Sequence, residues 1–302
     1  MRTDHVLCLD TSGFHKLHYT DWGDPVSPRV VICVHGLTRN CRDFDFLAQA
    51  LASECRVVCP DIAGRGRSDW LARKDDYGYP QYMRDVTALI ARVTAWPVAN
   101  SWLGKLSNFL GRRYGSRSIY WVGTSMGGML GMLLAAYPNS PIRKLVLNDI
   151  GALIPKAALE RIATYVGDSP HFRTFEELET YVRQVSAPFG PLTDAQWHHL
   201  TLHGARQYED GGWGMGYDPG IALPMRRNPQ QDIDLWQCWD AIACPTLVLR
   251  GAQSDLLLRE TAEQMRNRGP RPRVVEFAGV GHAPMLMAPD QIAVVRDFLL
   301  AG

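Results

Sequence analysis

Short runs of Val, Ile and Leu recur along the chain, separated by longer stretches whose apolar residues fall three or four apart. The runs "RVVICVHG" (29 to 36), "CRVVCPD" (55 to 61), "SIYWVG" (118 to 123), "RKLVLND" (143 to 149), "PTLVLRG" (245 to 251) and "RVVEFAG" (273 to 279) are nearly continuous in apolar residues. That predicts strands covered on both faces, as in a parallel sheet. Helical patterns lie at about 43 to 53, 80 to 95, 127 to 137, 259 to 268 and 289 to 300. Strand and helix in alternation predict an α/β protein with a doubly wound, mostly parallel sheet. Two stretches break the alternation. Residues 95 to 116 form a longer connection than a strand–helix unit needs, with room for a short extra helix. Residues 153 to 235 carry three helical patterns and then the glycine- and aromatic-rich "DGGWGMGYDPG" (210 to 220). The expected organisation is therefore a core of residues 1-152 and 236-302, with a mainly helical cap, 153-235, inserted after the strand ending near Asp149.

Composition narrows the class. At 302 residues the chain is slightly longer than one hydrophobic core usually supports, so one large domain with an insertion, or two domains, is expected. Its 46% hydrophobic and 21% charged residues are those of a folded, water-soluble protein. The 32 basic and 31 acidic residues nearly cancel, which argues against nucleic acid or an anionic membrane as a partner held by bulk charge. No stretch has the length of a membrane span. The first residues are broken by Asp4, His5, Asp10 and Lys16, so no signal-peptide core is expected there. Seven cysteines, none in a C-x-x-C pair, predict reduced thiols and a cytoplasmic location.

The chemistry centres on "GTSMGG" (123 to 128), where Ser125 sits between Gly123 and Gly127 at the junction of a predicted strand and a predicted helix. A strand-to-helix turn this sharp leaves no room for a Cβ beside it, exposes the serine Oγ, and sets the Met126 N–H at a helix N-terminus, suited to an oxyanion. A serine nucleophile needs a base held by a third group. His282, in "GVGHAP" after the last predicted strand, supplies the base. Asp255, in "GAQSDLL" after the strand before it, is the expected acid, with Asp149 at the end of "LVLND" the alternative. A second oxyanion donor is expected after the early strand ending in "VHGLTRN", at the Leu37 N–H.

With these residues in place the chain resembles the α/β-hydrolase superfamily, specifically its capped esterases, enol-lactonases and C–C hydrolases. The segments "HGLTRN", "PDIAGRGRSD", "GTSMGG", "GAQSDLL" and "GVGHAP" occur in the family's order and span nearly the whole chain. The resemblance implies a cofactor-independent serine hydrolase that cleaves a small-molecule carboxylic ester or lactone through an acyl-enzyme. A C–C hydrolase of dienoate products is the alternative, although such relatives commonly carry Asn before the elbow serine where this chain has Thr124. A low-turnover ligand receptor on the same fold is another.

The remaining motifs carry less. "GRGR" (64 to 67) lacks the Lys and spacing of a phosphate loop and reads as a loop-shaping turn. His198, His199 and His203 have helical metal-ligand spacing, but no acidic or Cys partner accompanies them, so no metal is expected. Arg39 and Asn40 follow the expected oxyanion loop and are candidates to bind a substrate carboxylate. The plainer alternative pairs Arg39 with Asp43 or Asp69. Trp213 is the cap aromatic assigned to the substrate pocket.

Overall fold

The structure, a computed structural model, describes residues 1–95, 117–168, 170–227 and 231–301. Its first strands are β1 (Arg2–Asp10), β2 (Gly13–Trp22), β3 (Arg29–Val34), β4 (Arg56–Pro60), β5 (Ser118–Thr124) and β6 (Ile142–Asn148). Short strands β7 (Leu153–Ile154), β8 (Ala205–Gln207), β9 (Trp213–Met215) and β10 (Ile233–Asp234) follow. The last two are β11 (Thr246–Gly251) and β12 (Arg273–Phe277). Eight of these form one sheet in the order β1-β2-β4-β3-β5-β6-β11-β12. From β4 to β12 all neighbours run parallel, whereas β2 joins β1 and β4 antiparallel.

The long helices lie on both faces, as a doubly wound sheet requires. Helix α1 (Asp45–Leu51) covers one face, packing Leu47 and Leu51 in the same apolar cluster as Val31 and Val57. Helices α2 (Tyr79–Thr94) and α3 (Met126–Ala136) cover the other, with Val86, Leu89 and Leu130 against Val30, Ile32 and Trp121. Each such aliphatic side chain withdrawn from water stabilises the fold by roughly 1.5–3 kcal/mol. Helix α3 is apolar all round, as a helix buried on every side must be.

All six expected strands and five expected helices are present, with ends shifted by a few residues. The β1–β2 hairpin was not anticipated. It lies at the sheet edge, where β1 buries little besides Cys8 and leaves Leu7 and Leu9 exposed along with its polar residues. A half-solvated edge strand lacks the continuous apolar run that marked the central ones. The expected 95 to 116 connection lies, from residue 96 on, outside the described residues.

Beyond β6 the chain leaves the sheet through β7 and returns through β10. These two pair antiparallel, Leu153 opposite Asp234 and Ile154 opposite Ile233, and form a two-stranded stem. Between them come α4 (Lys156–Ala163), α5 (Phe175–Val185), α6 (Asp194–Gly204), the β8–β9 hairpin and the short α7 (Leu223–Arg227). Thr193 caps α6 in a reciprocal box with Gln196, fixing where that helix begins. The segment is tied down on the core: Gly66 N–H donates to Gly216 O at 3.2 Å, and Asp218 N–H to Gly64 O at 2.8 Å. After the stem come α8 (Trp236–Asp240), α9 (Arg259–Asn267) and α10 (Pro289–Leu300). Helix α10 joins α1 on its face through Val295 and Leu299.

Candidate active site

Ser125 occupies the turn between β5 and α3 with φ of 51° and ψ of −115°, a backbone that side-chain-bearing residues rarely adopt. The glycines around it are sterically required. A Cβ on Gly123 would stand 2.2 Å from Gly127 O, and one on Gly127 would stand 2.0 Å from Val34 O. The turn thus holds Oγ at the carboxyl end of the sheet, where α/β proteins bind ligands.

His282 approaches from the loop after β12. Its Nε2 lies 3.0 Å from Ser125 Oγ and its Nδ1 lies 2.7 Å from Asp149 Oδ2. Asp149 is fully buried and also has positive φ, at 55°. Its Oδ1 accepts from Gly251 N–H at 2.8 Å, and its Oδ2 accepts from the Ser254 hydroxyl at 2.5 Å. With Gly251 N–H and the Ser254 hydroxyl engaging it on one side, this carboxylate is fixed in place to accept from the imidazole Nδ1. Neighbouring Asn148 splints the site, donating through Nδ2 to Thr124 Oγ1 at 2.9 Å and to Pro284 O at 2.7 Å.

The expectation that Asp255 orients the imidazole is therefore corrected. Asp255 points outward, half-exposed, and forms a two-point pair with Arg161 of α4, with Arg161 Nη2 at 2.9 Å. Ser254 fills the inward position of that loop and donates to the acid on the preceding strand. The sequence signal was the polar end of the otherwise apolar "LVLND", followed by the stem of the insertion.

Leu37 lines the same cavity as Ser125 and His282. Met126 is the first residue of α3, where a backbone N–H has no intrahelical acceptor. Two side chains that the sequence did not single out shape this corner. His35 Nδ1 donates to Gly36 O at 2.7 Å, and His35 Nε2 accepts from Ile62 N–H at 2.9 Å. Arg65, from "GRGR", is fully buried; it donates through Nε to Leu37 O at 2.7 Å and through Nη1 to Ala63 O and the Tyr82 hydroxyl at 2.7 and 2.9 Å. Its guanidinium has no carboxylate partner among the described residues, so a full positive charge stands behind the loop.

His35 gives a pH prediction. Burial pulls its pKa down to about 4, whereas an unfolded histidine titrates near 6.5. The unfolded chain therefore binds the proton first. The stability from neutral His35 is fully present above about pH 6.5 and is lost as pH falls toward 4, by about 3 kcal/mol in all. Urea midpoints at pH 7.5 and 4.5 are expected to separate more in the wild type than in His35→Gln, and equal separations would remove His35 as the cause.

The expected substrate-binding residues part company. Arg39 lines the cavity, but its Nε and Nη2 are committed to Asp43 at 2.8 and 2.7 Å, which is the plainer of its two readings. Asn40 does not line that cavity. It caps the turn at 41 to 44, accepting from Arg42 N–H at 2.9 Å and donating to His203 O at 3.0 Å. Trp213 also lies away, in β9, bridged to Phe172 and edge-on to Phe175 at 5.3 Å. The cavity, about 110 Å³, is instead walled by Ile162, Val166, Phe189, Met215, Tyr217 and Met285. Of the cap histidines, His198 meets Glu179 at 3.1 Å and His199 donates to Arg42 O at 3.0 Å. His203 is drawn down to about 4 by burial and the Arg42 guanidinium. An acid does come near the last two: Asp45, whose carboxylate is occupied by Arg42 Nε at 2.7 Å.

A serine on a strained strand-to-helix turn, within reach of a carboxylate-held imidazole on a parallel sheet, agrees with what known proteins report. Residues 31–295 match the alpha/beta hydrolase family. The chain belongs to that family. This α/β-hydrolase is 45% identical over 305 residues to a 3-hydroxybutyrate-oligomer hydrolase of Cupriavidus necator, across 98% of this chain and 97% of that one. A Rickettsia typhi protein described as a hydrolase superposes with a TM-score of 0.86 at 28% identity, over 99% of both chains. An α/β-hydrolase from Novosphingobium aromaticivorans superposes with a TM-score of 0.81 at 34% identity, over 98% of both. No helix among the described residues is long and apolar enough to cross a membrane.

Proposed function

We propose that the natural substrate is a short oligomer of a 3-hydroxy acid, cut one ester at a time. Ester hydrolysis is the chemistry of this α/β-hydrolase, and the observation that carries it is the hydrogen-bonded chain from Ser125 through His282 to Asp149 at the floor of a small apolar cavity. Ser125 Oγ attacks the ester carbonyl while His282 Nε2 takes its proton, and Asp149 holds the Nδ1–H and stabilises the imidazolium that forms. The carbonyl oxygen becomes an oxyanion facing the Leu37 and Met126 N–H groups, and the buried Arg65 charge behind Leu37 favours that build-up of negative charge. His282 then gives its proton to the leaving alkoxide, which departs as a free hydroxyl. Water, deprotonated by the same imidazole, releases the acid and restores Ser125.

Residues 153–235 act as the cap in this reading, since Ile162, Val166, Phe189 and Met215 wall the cavity from above. Small apolar walls suit the methyl and methylene groups of a hydroxybutyryl unit better than a long acyl chain. The likeness in sequence to an oligomer hydrolase supports the same choice. Seven free thiols support the cytoplasm as the compartment.

The test is an activity panel on purified enzyme: linear dimers and trimers of 3-hydroxybutyrate, a lactone, a long-chain ester and a dienoate. Monomer release from the oligomers, followed by chromatography, is expected with kcat/KM of at least about 10⁴ M⁻¹ s⁻¹ and at least tenfold above the others. A higher value for any of the other three would replace the oligomer as substrate.

A further inference from the structure

A second cleft, of about 440 Å³, opens where residues 202 to 216 meet the core, and it takes no part in the chemistry above. At its floor His18 Nδ1 lies 2.8 Å from Asp61 Oδ2, while His18 Nε2 is buried without a hydrogen-bond partner. Asp61 is itself buried and engaged by further donors. Its Oδ1 accepts from Cys41 N–H at 2.7 Å and its Oδ2 also accepts from Arg67 N–H at 2.9 Å. Gly66 permits this wrapping, because a Cβ there would stand 2.4 Å from the carboxylate. The Asp61 carboxylate thus engages His18 Nδ1 and leaves Nε2 as the nitrogen without a partner. A buried polar atom without a partner is unfavourable, and a hydrogen-bonding group on a ligand would relieve it.

The walls are cationic. Arg67 and Arg206 line the cleft, both exposed, and neither has a carboxylate partner among the described residues. Arg206 is stacked on the Trp70 ring, 4.5 Å from its centroid, so its planar fork is already held in place. The cleft therefore offers guanidinium groups for a carboxylate and one imidazole nitrogen for a hydroxyl. A metal ion fits it poorly. His18, Cys41 and Asp61 are close enough together to ligate one, but burial and the Asp61 charge hold the Cys41 thiol protonated, Asp61 already accepts from three donors, and the arginines repel a cation.

The cleft shares a wall with the active cavity. Along residues 215 to 217, Met215 and Tyr217 line the active cavity and Gly216 lines the cleft. Along the oxyanion loop, Leu37 and Arg39 face the first, and Asn40 and Arg42 the second.

We propose that this cleft is a second, non-catalytic binding site for a small hydroxycarboxylate, with the carboxylate on Arg67 and Arg206 and the hydroxyl hydrogen-bonded to His18 Nε2. That the ligand is the product of the enzyme's own reaction rests on the oligomer reading; the site does not. Occupancy presses on the loop that carries Leu37, so the ligand acts on turnover without entering the active cavity.

The experiment uses enzyme whose Ser125 has been blocked with a phosphonate, titrated with 3-hydroxybutyrate by calorimetry. One molecule is expected to bind per blocked chain, at least tenfold more tightly than butyrate, which lacks the hydroxyl. The Arg67→Met/Arg206→Met double variant, checked for native circular dichroism and melting temperature, is expected to lose at least tenfold in affinity. With active enzyme and p-nitrophenyl acetate, inhibition by 3-hydroxybutyrate is expected to be mixed. No binding to blocked enzyme, equal affinity for butyrate, or undiminished binding by the folded double variant would each overturn the proposal. So would zinc binding in its place. Failure of the oligomer reading shows separately, as absent turnover of the dimer by unblocked enzyme.

Discussion

Ser125→Ala and His282→Ala are each expected to lower kcat by four to six orders of magnitude, the order seen when one member of a serine–histidine pair is removed. Both changes delete side-chain atoms without disturbing the turn. Alanine at 125 must still adopt the positive φ that serine already tolerates, and the imidazole is only partly buried. Melting temperatures should therefore move little. The double variant should be no worse than the worse single one, because without Oγ there is no proton for the imidazole to take. A fluorophosphonate should label the wild type and leave Ser125→Ala untouched. Labelling that survives the substitution would place the nucleophile on another residue.

Most of the fold was legible because its strands are buried on both faces and its helices lie between them. The apolar runs at 29 to 36 and 118 to 123 could hardly be anything else, and each strand ends at the residues that carry chemistry. The first hairpin was not legible, since an edge strand keeps one face wet and breaks its own pattern. In the site, Ser125 and His282 were marked by local glycine geometry, which sequence displays directly. The acid was not, because the choice between Asp149 and Asp255 depends on which way two loops turn. That is decided by contacts far apart in the chain: Ser254 to Asp149, and Asp255 to Arg161. Arg39 and Asn40 were read from their nearness to the oxyanion loop, yet a bidentate carboxylate four residues on and a carbonyl in α6 engage them. Arg65 was hidden for a similar reason: nothing in "GRGR" says that one of its arginines is buried against Leu37 and Tyr82 while the other faces the second cleft.

Asp149→Asn is expected to lower kcat on the order of 10⁴-fold, the loss that follows when a triad histidine is held in the wrong tautomer. The carboxamide has one acceptor where the carboxylate has two. Gly251 N–H and the Ser254 hydroxyl both point donors at this group, so the amide oxygen is drawn toward them and its NH₂ turns to His282. An imidazole facing that NH₂ must accept on Nδ1 and keep its proton on Nε2. It then has no lone pair for Ser125. Asp255→Asn should behave differently, because it removes a half-exposed charge pair with Arg161 at the cavity rim. Such a pair contributes at most about 1 kcal/mol to stability, and its loss should change kcat by no more than a few-fold. Burst-phase kinetics with p-nitrophenyl acetate distinguish the two, since a wrong tautomer slows acylation itself. If Asp255→Asn abolished the burst and Asp149→Asn preserved it, the acid would belong to the loop after β11, and the buried hydrogen bonds around Asp149 would have only a structural role.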